Sequence, residues 1–164
     1  QTTALSDEWR SYLVSFFTGI DQSSTGVNVL DALRRKSLPN CWPVKRLKYL
    51  TDQITVGIVV EPSKYYTDSG VPSIRGFNVK SGSISQRDIV YISSESNVLH
   101  RKSILRKGDL VSVRTGSPGT TAVVDDFFDG GNCIDVILTR RPHAIHPDLL
   151  CHYMNCDLAR AQYV

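Results

Sequence analysis

Apolar positions along the chain change their period near residue 40. Ahead of that point Trp9, Leu13, Phe16, Phe17 and Ile20 recur at helical spacing. Ser6 stands where a capping hydroxyl is wanted, Asp7 and Glu8 suit the positive end of the dipole, and Gly19 suits a stop. The pattern predicts a helix from Asp7 to Thr18. Asp21 to Gly26 reads as a loop. Val27 to Lys36 predicts a second short helix, with Val27, Leu30 and Leu33 inward and Arg34, Arg35 and Lys36 at its negative end. The two prolines between Leu38 and Pro43 break the pattern, and the main boundary is placed there: a helical segment over 1–37 and a second domain over 38–164.

Beyond Trp42 short β-branched runs take over, separated by Gly, Ser, Asn and Asp. They predict strands at Ile54 to Val60, Ser73 to Val79, Asp88 to Ile92, Leu110 to Arg114, Thr121 to Val124 and Cys133 to Leu138. Two polar stretches, Glu61 to Ser69 and Ser93 to Ser103, read as the longest loops. Helical pattern returns from Pro147 to Arg160, with Pro147 and Asp148 in the first turn and an apolar stripe of Leu149, Leu150, Tyr153, Met154 and Leu158. The fold class is therefore α+β, a twisted, mainly antiparallel sheet or barrel-like body with flanking helices.

Composition narrows the class without naming an activity. The 164 residues are 41% hydrophobic and 21% charged, which fits a globular chain. No apolar run approaches the roughly 18 residues of a membrane span, and no leader opens the chain, so a cytoplasmic protein without a membrane partner is expected. The first residue is Gln1 rather than Met, which suits a piece of something longer. Cys41, Cys133, Cys151 and Cys156 are too few for a disulfide scaffold and are read as free thiols. The net charge of +3 hides a strong asymmetry: residues 34–124 carry fifteen basic side chains against six acidic ones, and both ends are acidic. Arg34, Arg35, Lys36, Lys45, Arg46 and Lys48 form one basic stretch, and Arg101, Lys102, Arg106 and Lys107 form another. A basic centre suits a phosphate-backbone binder, and equally a solvated basic face.

Catalytic patterns each lack a member. A methyltransferase acting on DNA bases needs a Gly-rich cofactor loop and an Asn/Asp-Pro-Pro-aromatic segment, and neither is present. The glutamates are Glu8, Glu61 and Glu95, and no acid stands two residues before a Lys, as nuclease sites require. Asp125, Asp126 and Asp129 bracket Phe127 and Phe128 and run into Gly130, which reads as an acidic turn. His143 and His146 lie between Pro142 and Pro147, where helical ligand spacing does not form. Cys151 and Cys156 are five apart on a helix, a poor pair for zinc. Gly116-Ser117-Pro118-Gly119 lacks the Lys-Ser/Thr of a phosphate loop. The chain reads as a non-enzyme, with no catalytic residue, metal site or cofactor.

From Pro39 onward the sequence resembles a target recognition domain of a type I restriction–modification specificity subunit. The resemblance rests on Pro39, Trp42 and Leu47; on Gly70-Val71-Pro72-Ser73-Ile74-Arg75-Gly76-Phe77-Asn78 followed by Gly82-Ser83-Ile84; and on Tyr91-Ile92-Ser93. It continues in Leu105-Arg106-Lys107-Gly108-Asp109-Leu110-Val111, then Arg114-Thr115-Gly116, Gly119 and Ala122-Val123-Val124, and closes on Pro147 to Asn155. No spacer-helix signature is present, and residues 1–37 match no part of the pattern.

The resemblance implies a reader of double-stranded DNA that recognises one half of a bipartite target. It implies partner adenine methyltransferase subunits that hold S-adenosylmethionine, a restriction subunit reached through the complex, and a second recognition domain. A half-length specificity subunit and the end of a fused restriction–methylation enzyme share the pattern, and a protein-interaction domain without DNA specificity stays open. Phosphate contacts are expected from Lys64, Lys80, Arg101, Lys102 and Arg114, base contacts from Tyr65, Tyr66, Asn97 and His100, and a further DNA contact from Arg75. The matching glycines are expected to be architectural. The large apolar residues of the two end helices, Trp9, Phe16, Phe17, Leu149, Tyr153 and Met154, serve either as core or as a docking face for a partner.

Overall fold

The computed structural model describes residues 46–143 and 145–160. The helices expected at Asp7 to Thr18 and Val27 to Lys36, the boundary at Leu38 to Pro43, and Cys41 lie outside the described residues. Described residues up to Asn155 form one compact unit, and Cys156–Arg160 fall in a second.

Among the described residues of the larger unit are ten strands and two helices. The strands are β1 Thr51–Val56, β2 Tyr66–Thr67, β3 Val71–Arg75, β4 Val79–Lys80, β5 Ser83–Ile84, β6 Val90–Ile92, β7 Leu110–Val113, β8 Thr121–Val123, β9 Asn132–Ile134 and β10 Val136–Pro142. The helices are α1 Ser94–Leu99 and α2 Pro147–Met154. One four-stranded sheet has the order β1-β10-β7-β8 and is antiparallel throughout. A second has the order β2-β6-β3-β9, in which β3 and β9 run parallel. β4 and β5 form a small ribbon. The α+β class stands, and the barrel-like alternative is corrected: both large sheets stay open, with β1 and β8 as the unpaired edges of the first.

Chain segments 51–58 and 132–142 join the two sheets. β1 pairs with β10 until Gly57, whose N–H donates to the Val136 carbonyl at 2.9 Å. Ile58 then bridges Ile134 in parallel. A Cβ on Gly57 would stand 2.4 Å from the Cys133 carbonyl oxygen, so only glycine lets the strands approach this closely. This crossover corrects the strand expected at Ile54 to Val60. The ladder starts three residues earlier, where polar Thr51, Asp52 and Gln53 gave no apolar signal, and it ends at Gly57.

The main core gathers Ile74, Val79, Leu105, Val111, Val113, Ala122, Val124, Phe128, Cys133, Val136 and Leu138. Alternation along β7 places Val111 and Val113 in this core and Leu110 on the opposite face, where Leu150, Cys151 and Met154 of α2 cover it. A third cluster holds Ile58, Ile92 and Ile134. Each large aliphatic buried in this way contributes about 1.5–3 kcal/mol. Ile74 and Val79 share one cluster although they are five residues apart, an odd separation that no continuous strand allows. The strand expected at Ser73 to Val79 is therefore broken by a 3-10 turn at Gly76–Asn78. The motif Arg106-Lys107-Gly108-Asp109 is a tight turn closed by Asp109 N–H to the Arg106 carbonyl at 2.9 Å. Gly108 sits there at φ +85, the third position of a type II turn.

Two further expectations need correction. Ser93 to Ser103 is not a loop: Ser93 Oγ accepts the Ser96 N–H at 3.1 Å and caps α1, and a 3-10 turn at Arg101–Ser103 follows. Nor does the closing helix run unbroken to Arg160. The Asn155 side chain donates to the carbonyls of Cys151 and Thr121, both at 2.8 Å, and accepts the Thr121 N–H at 3.0 Å, which ends α2 on β8. Leu150 and Met154 are buried, Tyr153 packs beside them, and Leu149 is half-buried. In the second unit Asp157–Arg160 form one helical turn, α3.

Candidate nucleic-acid interface

The two polar stretches expected to read bases meet in space. Pro62 opens a 3-10 turn over Pro62–Tyr65, and the Tyr65 ring packs edge-on against the His100 ring with centroids 4.5 Å apart. Beside this pair a groove of about 550 Å³ runs between Val56–Val60 and Leu99–Ser103. Its walls are apolar at Val59, Val60 and Leu99 and basic at Arg101 and Lys102. Val60 is 76% and Leu99 69% exposed, so the groove presents apolar side chains to solvent.

The backbone beneath this groove is held from inside. Arg140 Nη2 donates to the carbonyls of Lys102 and Ile104 at 2.6 and 2.8 Å, so the turn carrying Arg101 and Lys102 is fixed while their side chains reach solvent. Asn97 Nδ2 donates to the Gly130 carbonyl at 3.1 Å, and its Oδ1 accepts Asn132 Nδ2 at 2.7 Å. Asn97 is thereby engaged in anchoring α1. The Ser103 hydroxyl donates to the His100 carbonyl at 3.0 Å. His100 Nε2 is shielded from solvent without a hydrogen-bond partner.

The remaining expected residues divide by what they already hold. Lys64 is ion-paired with Glu61 and Arg114 with Asp135. Arg75 Nη2 donates to the Asp88 carbonyl at 2.6 Å. Tyr66, on β2, is exposed. Lys80, Arg101 and Lys102 form no ion pair among the described residues. Lys80 lies instead over the ring of Phe77, 4.8 Å from its centroid. These two border a second groove of about 430 Å³, lined also by Ser81, Thr115, Gly116 and Ser117. Phe77, Val59, Val60 and Leu99 were not among the residues expected from sequence. The signal for Phe77 was available in the odd spacing of Ile74 and Val79, which forces a turn at 76–78.

Nucleophilic and metal chemistry finds little support in the described residues. Burial pushes the Cys133 thiol up to about 12 and the Cys151 thiol to about 11, so both stay protonated at neutral pH. No three His, Cys, Asp or Glu side chains gather at a metal-holding distance among the described residues. Asp125 Oδ1 accepts the N–H groups of Phe127 and Phe128 at 3.1 and 3.3 Å, which makes the acidic segment a capped turn. Asp126 and Asp129 bind Lys107 through its ammonium and its N–H. His143 and His146 face separate acids, Asp52 at 3.3 Å and Asp148 at 3.5 Å.

No family model matches the sequence, and no curated protein does. Solved structures do. One chain comes from work on complex assembly and conformational transition of a type I restriction–modification system: TM-score 0.55, 20% identity, 90% of this chain and 34% of that one. Another is the HsdS subunit from Thermoanaerobacter tengcongensis: TM-score 0.55, 17% identity, 94% of this chain and 33% of that one. The fold is thus similar to that of specificity subunits, and the chain spans about a third of the length of these relatives. Among the described residues no helix is long and apolar enough to cross a membrane.

Proposed function

We propose that this chain recognises double-stranded DNA in a sequence-specific manner, as one target-reading unit of a type I restriction–modification specificity subunit. The observation that carries the reading is the fold shared with such subunits over nine-tenths of the chain. The unit reads one half of a bipartite target and does no chemistry itself. Adenine methyltransferase subunits holding S-adenosylmethionine supply it, with a restriction subunit and a second recognition unit in the same cytoplasmic assembly. Supporting features are three exposed cations beside the two grooves, Lys80, Arg101 and Lys102, which hold no ion pair among the described residues, and a groove whose chemistry matches a base edge. Arg101 can hydrogen-bond bases, Val59, Val60 and Leu99 can pack on thymine methyl groups, and Tyr65, Tyr66 and His100 flank them. Lys64, Arg75 and Arg114 add phosphate contacts on releasing their present partners, while Asn97 stays structural unless its bond to Asn132 opens.

Selection of bound duplexes from a randomised library tests the reading. The 164-residue chain should enrich a short motif of a few base pairs, and affinity should fall steeply as salt rises, because each phosphate contact releases about one counterion. Arg101→Ala and Lys102→Ala should each reduce the logarithmic salt slope by about 1. Enrichment of no motif, with binding insensitive to salt, would refute it.

A further inference from the structure

We infer that Phe77 is an aromatic wedge that enters the stack of the bound duplex at one base step, with Lys80 passing from the ring to the adjacent phosphate. This rests on the DNA reading above and names a contact within it. The first observation is exposure without a packing role: Phe77 is 55% exposed, while its neighbour Asn78 is fully buried. The second is rigidity. Asn78 Oδ1 accepts the Arg75 N–H at 3.0 Å, and its Nδ2 donates to the carbonyls of Ser85 and Arg87 at 3.1 and 2.8 Å. Ile74 and Val79, both buried in the main core, clamp the turn at its two ends. The turn is therefore fixed by Asn78 and its flanks, and Phe77 is presented outward from a backbone already ordered before binding.

Charge and hydrogen-bonding capacity choose the occupant. An exposed ring facing a protein partner would want apolar neighbours. Phe77 is flanked by a cation 4.8 Å from its centroid and by the hydroxyls of Ser81, Thr115 and Ser117 around the same groove. That set fits a stacked base with its phosphate and sugar. Other exposed aromatics lack the combination: Phe127 packs edge-on against Phe128 at 4.9 Å, and Tyr49, with Lys48 4.9 Å from its centroid, does not line the groove that Ser81, Thr115 and Ser117 border. An apolar side chain between two base pairs unstacks them and kinks the duplex, at a few kcal/mol that the added contacts offset.

The test uses the 164-residue chain and the duplex it selects, with 2-aminopurine placed at successive positions. Wild type should raise the fluorescence at one step, and Phe77→Ala should abolish that rise and weaken binding roughly 5- to 150-fold, the range of one base–aromatic stack. Phe77→Trp should restore both. The salt slope should be unchanged in Phe77→Ala and reduced by about 1 in Lys80→Ala. An unchanged thermal midpoint in Phe77→Ala controls for folding. Wild-type affinity in Phe77→Ala overturns the inference, as does a fluorescence profile flat at every position, and in both cases DNA reading itself survives. Failure of wild type to bind duplex removes the inference together with the reading beneath it.

Discussion

Replacing Asp109 with Ala should cost this domain about 3–4 kcal/mol and loosen the basic turn of the candidate groove. Asp109 is 1% exposed at the start of β7. Its Oδ2 accepts the Arg106 N–H at 3.0 Å and its Oδ1 the Arg141 N–H at 3.1 Å, with Arg140 Nη1 3.6 Å from Oδ2. Alanine leaves two partly buried N–H groups unpaired, each worth about 1–3 kcal/mol, and takes the counter-charge from Arg140. Arg140 holds the Lys102 and Ile104 carbonyls, so the defect reaches the turn bearing Arg101 and Lys102. Urea unfolding followed by circular dichroism reads the loss; with a slope near 2 kcal/mol per molar, the midpoint should fall by about 1.5–2 M. Asp109→Asn keeps one acceptor and should lose about half as much. Burial raises the Asp109 carboxyl above the ordinary 3.8, outweighing the lowering effect of the two N–H bonds and the Arg140 and Arg141 charges. The folded chain therefore holds that proton more tightly than the unfolded one. The carboxyl's contribution is full below the ordinary value and is lost as pH rises through the raised one. The stability of wild type relative to Asp109→Asn should accordingly be greatest in acid, fall as pH climbs past about 3.8, and level off above the raised value. A loss below about 1 kcal/mol in Asp109→Ala, or a difference that grows with pH, would refute this account.

Gly57→Ala should destabilise by about 1–3 kcal/mol or more, since the added carbon meets the Cys133 carbonyl backbone at 2.4 Å. Gly108→Ala meets only Pro147 at 3.9 Å and should cost about 1–2 kcal/mol, from its φ of +85 alone; thermal unfolding compares the two. Asn155→Ala strands the buried Thr121 N–H and should lower stability by about 1–3 kcal/mol, with the signal of α2 lost first in hydrogen exchange. In native-state thiol labelling at pH 8, Cys133 and Cys151 should react only on unfolding, because each is buried and held protonated; rapid modification of either in the folded chain would contradict their placement.

How far the sequence could be read follows from the length and locality of each element's signal. β7 was legible because Leu110 to Val113 alternates behind a turn that Gly108 demands. α2 was legible because Pro147 and Asp148 mark its first turn and Leu150 and Met154 its stripe. α1 was not: its apolar residues Val98 and Leu99 are exposed, and its stability comes from the Ser93 cap and from Asn97 bound to Asn132, 35 residues away. Strands of two residues, β2, β4 and β5, are too short to show a period. The candidate site was legible in its residue types but not in its grouping. The meeting of Tyr65 with His100 crosses 35 residues, and nothing local revealed that Asp135 would neutralise Arg114 while Lys80 stayed unpaired. Lys64 with Glu61, three residues apart, was the one such pairing that spacing could have shown.

The DNA reading proposed above requires contacts that can change without refolding the chain, and the distribution of bonds here separates the two tasks. Turns are fixed by buried or half-buried amides and one buried carboxylate: Asn78 at 76–78, Asn97 and Asn132 under α1, Asn155 at the end of α2, Asp109 with Arg140 beneath Lys102. The side chains that reach outward from those same turns, Phe77, Arg101 and Lys102, bear none of that load. Exposed substitutions away from caps and buried networks usually change stability by less than about 0.5 kcal/mol. Replacing Phe77, Lys80, Arg101 or Lys102 should therefore move affinity or target preference with the unfolding midpoint unchanged, while replacing Asn78, Asn97, Asn132 or Asp109 should lower the midpoint first. Pairing unfolding curves with library selection on the same eight variants checks the separation. A Phe77 or Arg101 variant that loses stability as much as an Asn78 variant would show that contact and scaffold are one structure rather than two.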